Sequence, residues 1–546
     1  GGHLESLYRG CAEYGIQIVD FRHEASAGHA AEAHARATGE LGVCVVTAGP
    51  GYLNAITPMI NAQLDGVPTL FIIGAPPLRE AECNSLQGGF DQIAMAAPAL
   101  KWAHRVTHPE RIPDLLAMAM RKATSGRSGA VLLELPIDVL HTPVRIDLVT
   151  SPNIASARAR SAPLASDIAA TISLLQNAQR PAIVCGSEAR FAACEEALRA
   201  FVDRAGIPVF CNSRAFGMLP GDHKLYGHEP NNLATLQADG VPPDVVLLLG
   251  AKAGMFLGGR KTTVLPADAK IIQVLHDPTE IGRIRHIDVG IAADCNLVLM
   301  ELLAASEEEP WPDWRAWGEK AAAAKNDLLR RFPQERLEHG LHPFFVARTV
   351  VDVFGPDATY VVDGGEAALW SDNAVRVNGP GQVMRTGYLG ALGAGMGMAI
   401  GAKLAKPHRP LVQMVGDGSI GFHLQELETM VRWQLPIVTV VFNNAVWGMS
   451  LHGQQLLFGE HYSAISKLSP DTSYARIAEG FGCLADTVVE PEELVPALKR
   501  AIQSGRPALL DVRTDPTCVH PKMTATFSNA TPDHIVIPYY ESFPVH

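Results

Sequence analysis

No two cysteines of this 546-residue chain form a C-x-x-C pair. The nine thiols (Cys11, Cys44, Cys83, Cys185, Cys194, Cys211, Cys295, Cys483 and Cys518) are odd in number and scattered. A disulfide framework or a zinc centre needs clustered ligands, so neither organises this fold. Several thiols sit in apolar runs such as Val43–Val46, which reads as reduced, buried cysteines of a cytoplasmic protein. Long apolar runs are missing too. The longest, Val67–Pro76, Asp244–Gly250 and Leu435–Phe442, fall far short of the ~20 residues that span a bilayer and read as buried parallel strands. Basic charge is in deficit: 45 Lys and Arg stand against 57 Asp and Glu, a formal charge of −12. Such a surface repels phosphate backbones and anionic lipid, so neither nucleic acid nor membrane is an expected partner. No signal peptide, short-period repeat or low-complexity tract is visible. The chain opens at Gly1 in mid-motif, so N-terminal sequence is read as missing, which leaves room for a leader.

What is present is an alternation of Val/Ile/Leu strands with Ala-rich helices, the signature of α/β architecture. At roughly 100–200 residues per domain the length predicts about three domains. Strands are predicted at Gly15–Phe21, Gly42–Thr47, Thr69–Gly74 and Gly129–Glu134, with helices over Glu24–Thr38 and Ile112–Ser125. Ile146–Pro163, rich in Ser, Pro and Ala, reads as a linker. A second set follows at Pro181–Cys185, Pro208–Cys211, Val245–Leu249 and Lys270–Val274. Glu307–Gly340 reads as a helical connector. A third set lies at Thr359–Val362, Leu411–Val415, Ile437–Phe442 and Ala508–Val512. The reading is three doubly wound parallel-sheet domains, over 1–150, 165–306 and 341–546.

The sharpest motif is Gly416-Asp417-Gly418-Ser419, followed after twenty-three residues by Asn443-Asn444. The first part ends the strand Leu411–Val415 and enters a helix predicted over Gly421–Trp433, where glycines and free N–H groups accommodate a phosphate. Asp417 supplies a carboxylate and Asn444 an amide oxygen. Parallel neighbouring strands would bring them together, a donor set that suits octahedral magnesium. Either half alone reads as an ordinary turn; the pair at this spacing does not. It resembles the metal–diphosphate motif of thiamine-diphosphate-dependent enzymes of the pyruvate oxidase and acetolactate synthase type, over essentially the whole chain. That resemblance implies a pyrimidine-binding, a central and a diphosphate-binding domain in this order. It implies thiamine diphosphate and Mg²⁺ as cofactors, with Asp417, Asn444 and the Val446 carbonyl as metal ligands. Gly365, Glu366, Gly416, Gly418, Ser419, Trp447, Gly448 and Met449 would flank the cofactor.

Thiamine chemistry needs one carboxylic acid to activate the aminopyrimidine from a largely apolar pocket. Glu24, opening an Ala-rich helix, would alone read as a carboxylate stabilised by the helix dipole. The resemblance makes it the activating glutamate. It also makes Gly390 a carbonyl donor to the pyrimidine and Leu392 the wedge that bends the cofactor. Gly393-x-Gly395-x-Gly397 lacks the spacing of a nicotinamide fingerprint and reads as a small-residue helix face packed on a neighbour.

Within the superfamily, Leu86–Arg105, Arg22–Glu32 and Gly2–Glu5 resemble benzaldehyde lyases. These cleave an α-hydroxyketone into two aldehydes or ligate them. His3 then matches the acid–base histidine and Gln87 the hydrogen-bonding glutamine. Alone they would read as a capping residue and a loop amide. Ile137, Ala368 and Met449 depart from that pattern, two aromatics lost and one methionine gained, which opens aliphatic or acyl substrates. The alternatives are an acetolactate synthase-like decarboxylating carboligase, a 2-hydroxyacyl-CoA lyase, a non-enzymatic paralogue and a nicotinamide oxidoreductase. The Cys518–His546 tail reads as a strap, with closure over the site as the other reading. No nucleotide is expected in the central domain. The resemblance further implies active sites shared between subunits of a homodimer or homotetramer.

Overall fold

The structure, a computed structural model, describes residues 1–152, 160–308, 311–324, 328–527, 534–535, 537 and 543–544. The first sheet contains β1 (Gly42–Val46), β2 (Thr69–Ala75), β3 (Trp102–Arg105) and β4 (Ala130–Pro136), in the order β1-β2-β4-β3. The second contains β5 (Pro181–Cys185), β6 (Val209–Cys211), β7 (Tyr226–His228), β8 (Val245–Leu249), β9 (Lys270–Leu275) and β10 (Val289–Ala292). Its order is β10-β9-β8-β5-β6-β7. A small antiparallel pair, β11 (Arg336–Leu337) and β12 (Gly340–Leu341), precedes the third sheet. That sheet is built from β13 (Thr359–Asp363), β14 (Val383–Met384), β15 (Leu411–Gly416), β16 (Val438–Asn443), β17 (Leu484–Val488) and β18 (Ala508–Arg513), in the order β14-β13-β15-β16-β18-β17.

Every pairing within these three sheets is parallel. Every residue of β2, β4, β5, β8 and β13 is buried. Strands covered by helices on both faces must be apolar throughout, which is why they were legible as unbroken Val/Ile/Leu runs. The α/β reading with three parallel sheets stands.

The chain groups into two compact units. The first comprises Gly1–Arg160, Thr386–His408 and His423–Leu435. The second comprises Ser161–Arg385, Arg409–Phe422 and Pro436–His546. In the first, the helix Ala394–Ala405 packs on the helix Glu24–Thr38. A Cβ added at Gly397 would lie 2.3 Å from the Ser26 carbonyl oxygen, and one at Gly401 2.1 Å from that of Ala30. Gly397, the last of the glycine run, thus lies on a helix-packing face that continues to Gly401. All nine cysteines are free, and six are buried. Among the described residues no helix is long and apolar enough to cross a membrane.

Two predicted elements differ. Gly15–Phe21 is not a strand: it has no strand partner, and Ile16 and Ile18 are exposed. An extended segment needs a neighbouring ladder for its backbone groups, and here the amides of Arg22 and His23 are taken by a side chain, Glu426. Of the helix predicted over Gly421–Trp433 only Glu426–Arg432 is helical, and a separate turn of helix, Asp417–Ile420, precedes the break. The break falls where the chain passes from the second unit to the first. The connector after Glu307 holds the helices Arg315–Ala323 and Leu328–Arg331 and then β11 and β12. Of the expected linker, 153–159 lie outside the described residues, as does most of the Cys518–His546 tail beyond Phe527.

Burial holds His342 and His423 down to about 4 and His520 down to about 2. All three are neutral in the fold, whereas the unfolded chain takes up protons below about 6.5, so stability falls as pH drops below that value. His276 moves up to about 9, chiefly through its contacts with Asp294 and Glu188. Its contribution is complete below about 6.5 and is lost only as pH rises towards 9. The urea midpoint should therefore fall between about pH 7 and about pH 5, each buried neutral histidine adding up to ~1.4 kcal/mol per pH unit. A midpoint unchanged across that interval would contradict this assignment.

Candidate active site

In the second unit, register decides the geometry. Asp363 of β13 stands opposite Val415 of β15, and Gly416 of β15 opposite Phe442 of β16. Three parallel strands therefore end at one level and release Gly364–Glu366, Asp417–Ser419 and Asn444–Trp447 from the same sheet edge, the edge where ligands bind in open α/β sheets. Asp417 is 4 % exposed. Its Oδ1 accepts the Gly418 N–H at 2.8 Å and its Oδ2 the Ala445 N–H at 2.7 Å, so the two halves of the motif meet directly. Burial pushes the Asp417 carboxyl up to about 6 against those bonds. Asn444 Oδ1 accepts the Val446 N–H at 3.2 Å. Ala445, between them, has φ +56°, a left-handed conformation rare outside glycine and a local strain of the kind found at binding turns. A Cβ added at Gly418 would lie 2.5 Å from the Trp447 ring, so no larger residue fits beneath that indole.

Gly365, Glu366, Gly416, Asp417, Gly418, Ser419, Asn444, Val446, Trp447, Gly448 and Met449 all line one pocket within this unit. The strand-end motifs thus converge. Met449 packs over Gly365, where a Cβ would meet it at 3.0 Å. Of the departures from the lyase pattern, Met449 is on the wall. Ala368, 1 % exposed, belongs to the hydrophobic core behind it, while Ala367 faces the pocket. Ile137 lies in the first unit, opening a short helix after β4.

Several residues of the wall, and several partners behind it, were not anticipated. Tyr474 donates to the Asp417 carbonyl oxygen at 3.0 Å. Thr514, Asp515 and Cys518 form part of the wall. Glu366, 7 % exposed, pairs with Nδ1 of His452, 2 % exposed, and accepts the His520 N–H at 2.9 Å. His452 Nε2 faces the Pro516 carbonyl at 2.8 Å. Both ring nitrogens of His452 thus face oxygen acceptors. Burial opposes a charge on His452, but the Glu366 carboxylate beside it raises its affinity for a proton overall. No sequence signal marked this pair: His452 lies 86 residues from its partner.

The remaining candidates lie in the first unit. Glu24 opens its helix and accepts a hydrogen bond from Asn54 Nδ2 at 2.9 Å. It is half-buried rather than enclosed by an apolar pocket within this chain. His3 Nδ1 lies 3.4 Å from the Thr47 hydroxyl, which donates to Gln87 Oε1 at 3.3 Å. With that hydroxyl donating to Gln87, His3 meets it through Nδ1–H, which leaves Nε2 unprotonated. Burial lowers the His3 pKa and keeps the ring neutral. His3 sits over Gly74, where a Cβ would come within 2.7 Å of its own. Gln87 has φ +59°, and Gln92 braces its loop by accepting from Gly49 N–H at 2.9 Å while donating to Gly74 O and Glu134. Gly390 is exposed at φ +64° on a turn closed by its own N–H to Gly387 O, with Leu392 half-buried beyond it.

Comparison with known proteins gives this geometry its context. Residues 1–95 match the N-terminal TPP-binding domain of thiamine pyrophosphate enzymes, 168–302 their central domain and 363–512 their C-terminal TPP-binding domain. The chain belongs to the thiamine pyrophosphate enzyme family. An acetolactate synthase large subunit of Mycobacterium tuberculosis is 32% identical over 530 residues, covering 96% of this chain and 93% of the relative. One of Corynebacterium glutamicum is 34% identical over 533 residues, covering 94% and 83%. A probable acetolactate synthase large subunit of Methanocaldococcus jannaschii is 29% identical over 532 residues, covering 94% and 88%.

The pocket fits the diphosphate end of the family's cofactor. The Gly416–Ser419 turn keeps a bare glycine under Trp447, and Gly365 and Gly416 leave the same wall free of side chains where a phosphate would approach. Gly418→Ala should push Trp447 off its seat and weaken thiamine diphosphate binding by at least about tenfold, at a cost of ~1–3 kcal/mol in stability. Titration calorimetry with thiamine diphosphate and thermal unfolding of the same variant check both; unchanged affinity would remove the glycine from the site.

Proposed function

We propose that this chain is a thiamine-diphosphate-dependent carboligase that makes or breaks the carbon–carbon bond of an α-hydroxyketone. The observation that carries the reading is the meeting of Asp417 with the Asn444–Val446 turn at one sheet edge in a chain of this family. Thiamine diphosphate, when bound, supplies a carbon nucleophile that lets a carbonyl carbon act as an acyl donor. Asp417 and Asn444 side-chain oxygens and the Val446 carbonyl are assigned to Mg²⁺. Among the described residues no group of three or more His, Cys, Asp or Glu is arranged for a metal. One carboxylate and neutral oxygens make a hard but incomplete donor set, which a diphosphate would complete.

Glu24 is assigned the activating carboxyl, holding a proton for the aminopyrimidine. Gly390 offers its carbonyl and Leu392 its side chain to the same ring. Gly365, Glu366, Gly416, Gly418, Ser419, Trp447, Gly448 and Met449 are assigned to the cofactor's walls. The His3 imidazole, neutral with its proton on Nδ1, would take a proton at Nε2 from the reacting oxygen and, as the imidazolium so formed, return it, while Gln87 hydrogen-bonds that oxygen.

Two acyl donors fit. The relatives named as acetolactate synthases support a 2-oxo acid that loses carbon dioxide, and this reading is put first. The His3–Thr47–Gln87 chain supports the second, benzaldehyde lyase-like reading, in which free aldehydes are joined or released. Family resemblance supports a homodimer or homotetramer with shared sites, and the six buried free thiols support a reducing cytoplasmic setting.

Product analysis with thiamine diphosphate and Mg²⁺ decides between them. Pyruvate should yield carbon dioxide and acetolactate, and Glu24→Gln should cut that rate by a factor on the order of 10²–10⁴. Aldehyde release from benzoin or acetoin without carbon dioxide from pyruvate would move the chain to the second reading. No product from any of them would sink the proposal.

A further inference from the structure

The segment Asp20–His23 enters Glu24 as an extended loop, and its polar groups are met by a single stretch of chain, residues 423–433. Glu426, the first residue of the helix Glu426–Arg432, is 0 % exposed. Its Oε1 accepts the His23 N–H at 3.0 Å and its Oε2 the Arg22 N–H at 3.2 Å. The Thr429 hydroxyl donates to the same Oε2 at 2.6 Å. One turn further on, Arg432 pairs with Asp20, and Trp433 Nε1 donates to Asp20 at 3.3 Å. His423 packs edge-on to His23 with ring centroids 5.0 Å apart, and its Nδ1 lies 3.1 Å from the Gly393 carbonyl. All of these residues belong to the first unit.

A buried carboxylate is costly unless N–H donors replace its water. Here the donors are two successive amides, and the residue after them is Glu24. Any acceptor would cap a loop; a bidentate carboxylate holds two adjacent peptide planes at once and so fixes the direction in which the chain enters the helix. Among the described residues the Glu24 side chain makes one hydrogen bond, from Asn54. We infer that Glu426 is the positioning residue for Glu24, setting the place from which that carboxyl meets its target. The inference rests on the assignment of Glu24 as the activating carboxyl.

The test uses the full chain loaded with thiamine diphosphate and Mg²⁺, and reads hydrogen–deuterium exchange at C2 of the bound cofactor by NMR after acid quench. This measures activation without turnover of substrate. Glu426→Gln keeps one acceptor and turns an amide NH₂ against the other backbone N–H. It should slow exchange by about thirtyfold, towards the Glu24→Gln level, while cofactor affinity changes by less than about threefold, because misplacement of a catalytic group by a fraction of an ångström is that damaging. Exchange at the wild-type rate in Glu426→Gln, with Glu24→Gln slow, would reduce Glu426 to a loop cap and overturn the inference. Wild-type exchange in Glu24→Gln would overturn the assignment of Glu24 itself, and this inference with it. Should Glu426→Gln fail to fold, Thr429→Val removes only the hydroxyl that steadies Oε2. It should slow exchange by about threefold, and an unchanged rate there would equally overturn the inference.

Discussion

Parallel pairing of β15 with β16, in register from Val412 opposite Val438 to Gly416 opposite Phe442, is the constraint on which the candidate site depends. A slip of one residue would turn every side chain of a strand to the other face. It would also carry Asp417 away from the Ala445 amide that now binds its carboxylate. The strands can hold this register because both their faces are buried. Burial leaves no polar position free to exchange with solvent, and adjacent Val, Leu and Met side chains lock the ladder. The pocket is therefore a by-product of a well-packed sheet, and its glycines and its left-handed Ala445 sit where the strands end and packing no longer dictates conformation.

A second theme is the use of buried carboxylates as organisers. Asp417 binds two amides across the motif, Glu366 joins His452 and the His520 amide, and Glu426 takes two amides ahead of Glu24. Each carboxylate bridges segments distant in sequence, and each has its desolvation offset by N–H donors rather than by a surface cation. Glu366 and Asp417 face one pocket, and the imidazole behind Glu366 moderates the negative charge on that wall. This matters for the diphosphate proposed to bind there, since two bare carboxylates would repel it.

Family membership accounts for the cofactor, while the substrate is a question for the walls. Met449 narrows the pocket over Gly365, whereas Ala368, which the pattern of residues had placed at the substrate, is absorbed into the core. Position along a motif therefore does not tell which face of a helix meets the ligand. The helix Glu366–Ala374 turns Glu366, Ala367 and Trp370 to the pocket and Ala368 away from it, as a period of 3.6 residues requires.

Much of the molecule was readable beforehand. Pro181–Cys185, Val245–Leu249 and the helix Glu24–Thr38 were predicted with the bounds they have, because fully buried strands and Ala-rich helices are strong local signals. The Gly416–Ser419 and Asn443–Asn444 motif was readable because a strand end, its glycine and its ligand-type residue lie together in sequence. Gly15–Phe21 was misread: its apolar residues looked like a strand, but strand formation needs a partner ladder that local composition does not report. The partnership of Glu366 with His452, of Thr47 with His3 and Gln87, and of Glu426 with the residues before Glu24 was invisible for the same reason. By itself the sequence determined the alternation of strands and helices, the parallel sheets and the diphosphate motif, all consequences of local patterning. Only the tertiary structure decided which buried carboxylate meets which amide, because those pairs span up to 404 residues and exist only once the sheets have closed.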